Sequence, residues 1–348
     1  MKKLISIIAI VFLTWLTTGI VHGSGTEDLT KISQNARYSW WVHPISSVDA
    51  YDTDNIYFTG VRSNGLPRVF HREPTEDYSE LDYDSLIGSA LEADDHNAPS
   101  ILSADGKDTI AFWTRHGKES YVRYYKADEG TIDFGSENTI SFPYNVTYSQ
   151  SITNGDNIWL FTRSSATAWY FAESDDWGDT WGTAVNFIDG TGEGERYYTL
   201  LRPLETDSTK AQVVFYGHPN STDNNIYYAE LDTNNGNITT SAGTVGNLDG
   251  TNLPLEPGDL DTVWDTGGTQ RVRVLDDRVK ADKEMVLYAQ WTYNTTEPDY
   301  KIAVRKSDDT WEHTRLQWSG GNFDDGNDRK YVWGAAFDRN GNDKIYFG

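Results

Sequence analysis

Two histidines stand at matched ends of a short predicted hairpin. His96 lies in the segment Asp94–Pro99, just before a strand, and His116 follows the strand Thr109–Trp113. Antiparallel strands joined by a turn bring such ends to one edge of a sheet, so both imidazoles are expected to face one cleft. Histidine titrates near neutral pH, and a pair of this kind suits proton transfer. The bland alternative is a pair of hydrogen-bonded turn residues.

The next two sequence units repeat this placement with other polar side chains. Tyr148 opens the first strand of the third unit, and Arg163 ends the second strand of that unit. In the fourth unit Tyr197 and Tyr198 stand at the entry, and His218 stands at the matching end. Three successive units therefore predict polar side chains on one shared rim. Hydrogen-bonded turn residues without a chemical role are again the alternative.

The elements that must position these residues are short strands. Helical periodicity is nearly absent, and runs of Val, Ile, Tyr, Phe and Trp are bounded by Asp, Asn and Gly clusters. The runs recur at roughly 50-residue spacing, which is typical of four-stranded propeller blades. We predict an all-β chain folded as a β-propeller with four-stranded antiparallel blades. Six blade openings are readable, and seven blades would fit the length.

The two ends of the propeller and one long segment have their own predictions. The chain stops at Gly348 just after a strand. The final blade is therefore either completed by an N-terminal strand near Tyr38–Val42 or incomplete. The segment Thr233–Gly268 is predicted to be a long polar insertion at the surface.

One motif sharpens the fold prediction. Ser174–Trp181 matches the pattern S-x-D-x-G-x-T-W, the Asp-box of sialidase-type propellers. The pattern predicts a tight hairpin in which Asp caps the turn, Gly takes a positive φ and Trp packs beneath. A degraded second copy is Ser307–Trp311. The motif indicates a fold and carries no catalytic group.

The first residues are typical of an export signal. Lys2 and Lys3 precede the uncharged run Leu4–Val21, and small residues follow it. We place cleavage after Gly23, with an uncleaved membrane anchor as the alternative. The mature chain, residues 24–348, is then expected to be one secreted propeller domain, extracellular or periplasmic and monomeric.

Charge and composition limit the partners. The net charge of −24 argues against nucleic acid and anionic membranes, so an anionic substrate would need a locally basic cleft. The sequence has no cysteine, which excludes thiolate metal sites and cysteine nucleophiles. Asp-rich loops could hold structural Ca²⁺, but none has the ligand spacing of an EF-hand loop.

Several of these segments together point to a known family. They are the Asp-box, Asp95–Pro99, Arg115–His116, Tyr148 with Arg163, and the turn His218–Pro219. The set resembles the BNR-repeat propeller ulvan lyases over about residues 38–232. The resemblance implies a seven-bladed propeller that cleaves ulvan, a sulfated polysaccharide of rhamnose and uronic acids, by β-elimination without a required cofactor.

The resemblance also implies roles for individual residues. His96 matches the catalytic histidine of the family. The residues that match its partners are His116, Tyr148, Arg163 and Tyr198, with Tyr197 an equal choice for the last position. Substrate contacts are further expected from Arg115 and His218.

The residue types suit this elimination. The reaction removes the proton α to a uronate carboxylate and expels the 4-linked oxygen. Arg163, helped by His116, could bind the carboxylate and offset its added negative charge. His96 is favoured as the base and Tyr148 as the acid, and the reverse order stays open.

Two other functions compete with a lyase. A sialidase-like or other glycoside hydrolase shares the Asp-box, but it needs a carboxylate pair or a Tyr nucleophile, and a sialidase needs several carboxylate-binding arginines. The sequence has no Arg-Ile-Pro opening of the sialidase kind. A non-catalytic carbohydrate-binding propeller would keep an aromatic cleft but would not need His96.

Overall fold

The computed structural model describes most of the chain between residues 36 and 347. The described ranges are 36–37, 46–48, 56–72, 83–86, 91–92, 94–164, 167–190, 196–204, 207–218, 224–280, 283–292, 298–318, 335–337 and 344–347. The predicted signal, residues 1–23, lies outside them. In these ranges no helix has the length and apolar character needed to cross a bilayer.

The described regular structure is β-strand, apart from 3-10 turns at Asp95–Asn97 and Pro257–Asp259. The strands of the first three sheets are β1 (Ala36–Arg37), β2 (Ser46–Val48), β3 (Ile56–Arg62), β4 (Pro67–Arg72), β5 (Tyr83–Leu86), β6 (Ser100–Leu102), β7 (Thr109–Trp113), β8 (Tyr121–Ala127), β9 (Asn138–Ser141), β10 (Val146–Asn154), β11 (Asn157–Ser164), β12 (Ala168–Ser174) and β13 (Val185–Asp189).

The later strands continue the same alternation of strand and turn. They are β14 (Tyr197–Pro203), β15 (Lys210–Gly217), β16 (Ile226–Asp232), β17 (Asn237–Thr240), β18 (Gly243–Asn247), β19 (Asp261–Trp264), β20 (Gln270–Lys280), β21 (Lys283–Thr292), β22 (Asp299–Arg305), β23 (Trp311–Trp318), β24 (Ala335–Phe337) and β25 (Ile345–Phe347).

The described strands form separate antiparallel sheets in sequence order. Three sheets are four-stranded meanders, namely β6–β9, β10–β13 and β20–β23. The first strands of successive sheets lie against one another: β6 contacts β10, β10 contacts β14, and β14 contacts β20. Separate sheets whose first strands contact one another around a common centre form the β-propeller that the repeat spacing predicts. Six sheets fall within the described residues, and seven blades stays a prediction.

The strands predicted from apolar runs are the second strands of their blades, β3, β7, β11, β15 and β21. The interiors of β11 and β15 are buried on both faces: every residue from Ile158 to Ser164 and from Ala211 to Gly217 is buried. Blades stacked face to face cover both sides of such a strand. This explains why these runs are nearly continuously apolar rather than alternating.

The N-terminal strands belong to the first blade. Both β1 and β2 pair with β3. The predicted closing strand near residues 38–42 lies outside the described residues. Within the described chain, β24 pairs with β25.

The segment Thr233–Gly268 is not the surface excursion that its polar composition predicts. Its β17–β18 hairpin extends the fourth blade, and β19 pairs with β16. Ile238 and Leu255 are fully buried against the main core. A few well-spaced apolar residues therefore outweigh the polar average of the segment.

The Asp-box forms the turn that its pattern predicts. Asp176 accepts hydrogen bonds from the backbone N–H and the hydroxyl of Thr180, at 2.8 and 2.7 Å. Gly178 has a φ of +79°. Trp181 packs edge-on to Phe112 of the second blade, with ring centroids 5.8 Å apart. The motif thus fastens the third blade to the second.

The degraded copy of the motif forms a shorter turn. Asp308 accepts hydrogen bonds from the backbone N–H and the hydroxyl of Thr310, two residues away, at 3.1 and 2.5 Å. Asp309 takes the positive φ, at +63°. The capping chemistry is retained although the glycine is missing.

Candidate active site

The two histidines at the ends of the second-blade hairpin stack on each other. Their ring centroids are 3.7 Å apart and their planes differ by 7°. The Nδ1 atom of His96 is bonded to Oδ1 of Asp94, and the Nδ1 atom of His116 lies 2.9 Å from Oδ2 of the same carboxylate. An ionised carboxylate can only accept, so both Nδ1 atoms carry a hydrogen. The Nε2 atom of each ring is then the nitrogen turned away from Asp94.

Asp94 is a site residue to which the sequence analysis gave no role. Partial burial opposes its charge, but the hydrogen bonds from His116 and His96 outweigh that cost and hold the pKa of this carboxyl well below its usual range. The backbone N–H of His96 also donates to Oδ1 of Asp94, at 3.0 Å. An Asp side chain commonly accepts from the backbone N–H two residues further on, whatever residue stands there, so the sequence does not single out Asp94.

A second carboxylate fixes the loop that carries His116. Glu92 accepts from the backbone N–H of His116 at 2.9 Å, from Nη2 of Arg115 at 2.9 Å and from Nζ of Lys118 at 2.8 Å. Arg115 also reaches Glu119, at 3.4 Å. The guanidinium of Arg115, which the sequence predicts to bind substrate, is therefore shared between two carboxylates and supports the loop.

Tyr148 is aimed by an irregularity in β10. The pairing of β10 with β11 shifts between Thr147 and Gln150, which makes a β-bulge. Within the bulge Tyr148 has a φ of +68°, a conformation that non-glycine residues seldom adopt. The hydroxyl of Thr162 donates to the carbonyl oxygens of Thr147 and Tyr148, at 3.2 and 2.8 Å. Bulges re-aim side chains, and this one turns Tyr148 toward His96.

The rings form a stack that descends from the surface. The side chain of His116 is 41% exposed and that of His96 is 15% exposed. Tyr148 lies below His96, with centroids 5.1 Å apart, and Trp169 lies below Tyr148 at 6.4 Å. Tyr148 itself is fully buried. We call His116, His96, Tyr148 and Trp169 the ring stack.

Arg163 lies between two tyrosines beside the ring stack. Its guanidinium carbon is 4.8 Å from the ring centre of Tyr148 and 5.0 Å from that of Tyr198. Burial opposes its charge, but the two phenols outweigh that effect and raise the pKa of Arg163. The residue is only 7% exposed. Among the described residues no carboxylate pairs with it, and its Nε and Nη1 atoms have no hydrogen-bond partner.

The fourth blade supplies Tyr198 rather than Tyr197. Tyr198 lies 5.6 Å from His218 and 6.1 Å from Tyr148, measured between ring centroids. Tyr197 points to the other face of β14, where it stacks on Phe215 at 4.4 Å. Successive side chains of a strand face opposite sides. The alternation therefore brings Tyr198 to Arg163 and Tyr148 and turns Tyr197 toward Phe215.

The donors around Asp94 could also hold a metal ion. Ligand atoms of Asp94, His96 and His116 lie within 4.8 Å of one another. Two imidazole nitrogens suit a transition metal rather than Ca²⁺, which prefers oxygen ligands. In this structure the three side chains are joined by hydrogen bonds, in which the carboxylate of Asp94 accepts from the Nδ1–H groups of His96 and His116.

The model of the BNR repeat-containing family matches residues 24–323. The chain belongs to the BNR repeat-containing family. No curated protein matches the sequence of this family member significantly.

Among solved structures, two ulvan lyases of polysaccharide lyase family PL25 resemble this BNR-repeat chain. One, bound to an oligosaccharide of glucuronic acid and 3-sulfated rhamnose, has a TM-score of 0.65 and 14% identity. The other has a TM-score of 0.64 and 13% identity. Each alignment covers 82% of this chain and 74% of the lyase. At such identities the likeness establishes the propeller fold.

A weaker likeness is to the catalytic domain of an α-L-arabinofuranosidase from Coprinopsis cinerea. It has a TM-score of 0.34 and 10% identity, and the alignment covers 62% of this chain and 66% of that domain. A match this distant carries no argument about function.

Proposed function

We propose that this BNR-repeat propeller is a secreted polysaccharide lyase that cleaves ulvan, or a closely similar uronate polysaccharide, by β-elimination. The observation that carries the proposal is Arg163, a buried guanidinium with no carboxylate partner among the described residues. It lies against the ring of Tyr148, which in turn lies against His96, one of the two imidazoles held by Asp94. A buried charge is costly unless it is paired. A uronate carboxylate supplies the missing partner.

The first step is recognition of the acid group. The carboxylate of a uronate residue pairs with the guanidinium of Arg163, whose Nε and Nη1 atoms have no hydrogen-bond partner in the described chain. Guanidinium and carboxylate match in a two-bond geometry. The charge of Arg163 then offsets the second negative charge that builds up when the α-proton leaves. Tyr198 and His218 border the same space and contact the sugar.

The second step moves two protons. Nε2 of His96 takes the proton from the carbon α to the carboxylate, and the electron pair left behind forms a carbon–carbon double bond. The bond to the 4-linked oxygen breaks, and that oxygen takes the phenolic proton of Tyr148. Asp94 stabilises the imidazolium that forms, as a carboxylate does in a Ser-His-Asp triad. Return of the proton from His96 to Tyr148 restores the site, and the steps use no cofactor.

The burial of Tyr148 sets a condition on this chemistry. Its side chain is fully covered while His96 and His116 reach the surface. For the phenol to meet the leaving oxygen, the contact between His96 and Tyr148 must open when substrate enters.

The test is digestion of a panel of polysaccharides, with ulvan, other uronate polymers and sialosides. We expect a rise in the absorbance of unsaturated uronate with ulvan. His96→Ala should lower that rate on the order of 10³-fold, the usual contribution of a positioned base. The control is His313→Ala, which removes a partly buried histidine on β23 of the fifth blade that is bonded to Tyr288, and it should keep the activity.

Three outcomes contradict the proposal in different ways. New reducing ends without unsaturated product indicate a hydrolase. Binding of ulvan without any cleavage indicates a sugar-binding propeller. Full activity of His96→Ala leaves the lyase but removes this site from it.

A further inference from the structure

A second aromatic feature lies on the rim that carries the ring stack. Tyr144, in the turn between β9 and β10, is 54% exposed. Its ring meets the edge of Tyr170 of β12, with centroids 6.1 Å apart and planes at 67°. The other large apolar side chains that are exposed in the described chain, Tyr346 and Phe347, lie on β25 in a different sheet. Tyr144 is therefore the large exposed aromatic side chain that lies near the ring stack among the described residues.

The turn that carries Tyr144 is bonded to the loop that carries His116. The backbone N–H of Gly117 donates to the carbonyl of Val146 at 3.0 Å, and the amide of Asn145 donates to the carbonyl of Gly117 at 3.0 Å. Two more backbone bonds of 2.8 Å join Phe142 to Ser120 and Val146 to Glu119. The position of the Tyr144 backbone relative to His116 is thus fixed before any ligand arrives.

The short stretch of chain between Tyr144 and Tyr148 limits the distance between the exposed ring and the ring stack. Tyr144 and Tyr148 are four residues apart on a segment that runs into β10. Four residues span at most about 14 Å. The exposed ring is therefore close enough to contact a polysaccharide whose cleaved bond lies at the ring stack, although it is not itself part of that stack.

We infer that Tyr144, backed by Tyr170, is a stacking subsite for a pyranose ring of the bound polysaccharide at a position away from the cleaved bond. The inference rests on the proposed function. An aromatic ring offers an apolar face to the C–H groups of a sugar, and the tyrosine hydroxyl stays at the wet edge. Because the turn is already ordered, little conformational entropy is lost when a sugar binds.

The consequence is a dependence on substrate length. A long polysaccharide spans both the ring stack and the subsite, whereas the shortest cleavable oligosaccharide reaches the ring stack alone. Tyr144 should therefore contribute to KM for the polymer and not to kcat. It touches no reacting atom and is a binding residue.

The experiment compares Tyr144→Ala with the wild type on the polymer and on the shortest oligosaccharide that is cleaved. We expect KM for the polymer to rise roughly three- to tenfold, with kcat unchanged and with the short substrate unaffected. Tyr144→Trp should restore the polymer KM. Tyr346→Ala, which removes an equally exposed ring from another sheet, should change neither substrate.

The outcomes separate this inference from the function on which it rests. If the wild type is active and Tyr144→Ala leaves the polymer KM unchanged, or shifts both substrates equally, the subsite is wrong and the lyase stands. If the wild type cleaves no uronate polysaccharide, the proposed function falls and the subsite falls with it.

Discussion

Two arginines of similar burial have opposite surroundings. Arg123 and Arg163 are 8% and 7% exposed, and each guanidinium carbon lies 4.8 Å from the centre of a tyrosine ring. Arg123 also pairs with the carboxylate of Glu119 and lies 3.5 Å from that of Glu137. In the described chain no carboxylate forms an ion pair or hydrogen bond with Arg163.

The difference separates a structural cation from one that is suited to a ligand. Removing a charge from water is costly, and Arg123 recovers part of that cost from its own carboxylate partners. Among the described residues, Arg163 has only the phenols and ring faces of Tyr148 and Tyr198 to offset the cost of burying its charge. A buried cation without a carboxylate partner among the described residues fits the proposed role of Arg163 in binding a substrate anion.

Removing the two arginine charges in separate variants should show the largest difference between them. Arg163→Met keeps much of the volume but should lower kcat/KM on the order of 10²- to 10³-fold, the usual loss for one charge-stabilising group. The free energy of unfolding should change by less than it does for a carboxylate-paired arginine, because only contacts with the phenols and ring faces of Tyr148 and Tyr198 are lost. Steady-state kinetics and denaturant unfolding of the same preparations measure the two effects.

Arg123→Met is the matched variant and should give the opposite pattern. It leaves the partly buried Glu119 short of a partner, so we expect a loss of about 1–3 kcal/mol in unfolding free energy. Its kcat/KM should stay near the wild-type value. If both variants lose stability and activity alike, the two arginines do not differ in the way described.

Asp94→Asn tests the carboxylate that joins the two imidazoles. One charge-assisted hydrogen bond is worth about 1.5–3 kcal/mol, which corresponds to a roughly 10- to 100-fold loss of kcat/KM. Because Asp94 favours the protonated form of the base, its loss should also move the acidic limb of the pH–rate profile to lower pH. A lower rate with an unmoved limb would assign Asp94 a purely structural part.

The lowered pKa of Asp94 predicts how the stability of the protein changes in acid. Its pKa is lower in the folded chain than in the unfolded chain, so its contribution to stability is present above an unfolded pKa of about 3.9 and is lost as the pH falls below that value. The stability difference between wild type and Asp94→Asn should therefore shrink below about pH 4. Unfolding measured across that range checks the sign, and a difference that grows in acid contradicts it.

The smallest effect is expected at Arg115. Its guanidinium is shared by Glu92 and Glu119, so Arg115→Gln should lower kcat/KM only severalfold, through the loop of His116. A loss as large as that of Arg163→Met would mean that Arg115 binds substrate directly, as the sequence predicts.

Much of this arrangement can be predicted from the sequence because hairpin ends are local. The spacing of His96 and His116 around one turn is enough to place both rings on one rim, and the same argument places Tyr148 near Arg163. The Asp-box turn is equally local, since Asp176 and Thr180 are four residues apart. Such features depend on short stretches of chain and on few alternatives.

What sequence reasoning missed depends on contacts between distant segments. Asp94 reaches the Nδ1 atoms of both histidines only when the 3-10 turn at Asp95–Asn97 has formed and the loop of His116 lies next to it. The bulge at Tyr148 is formed without a glycine and is held by Thr162 of the next strand. The pairing of β19 with β16 depends on burial of Leu255 and its neighbours in the main core. None of these has a periodic or positional signature.

A crystal structure of His96→Ala with a uronate oligosaccharide shows directly whether Arg163 binds the acid group. We expect the sugar carboxylate to lie about 2.7–2.9 Å from guanidinium nitrogens of Arg163, with the α-carbon facing the position of the deleted imidazole. A carboxylate bound elsewhere, with the Nε and Nη1 atoms of Arg163 still without partners, would contradict this expectation.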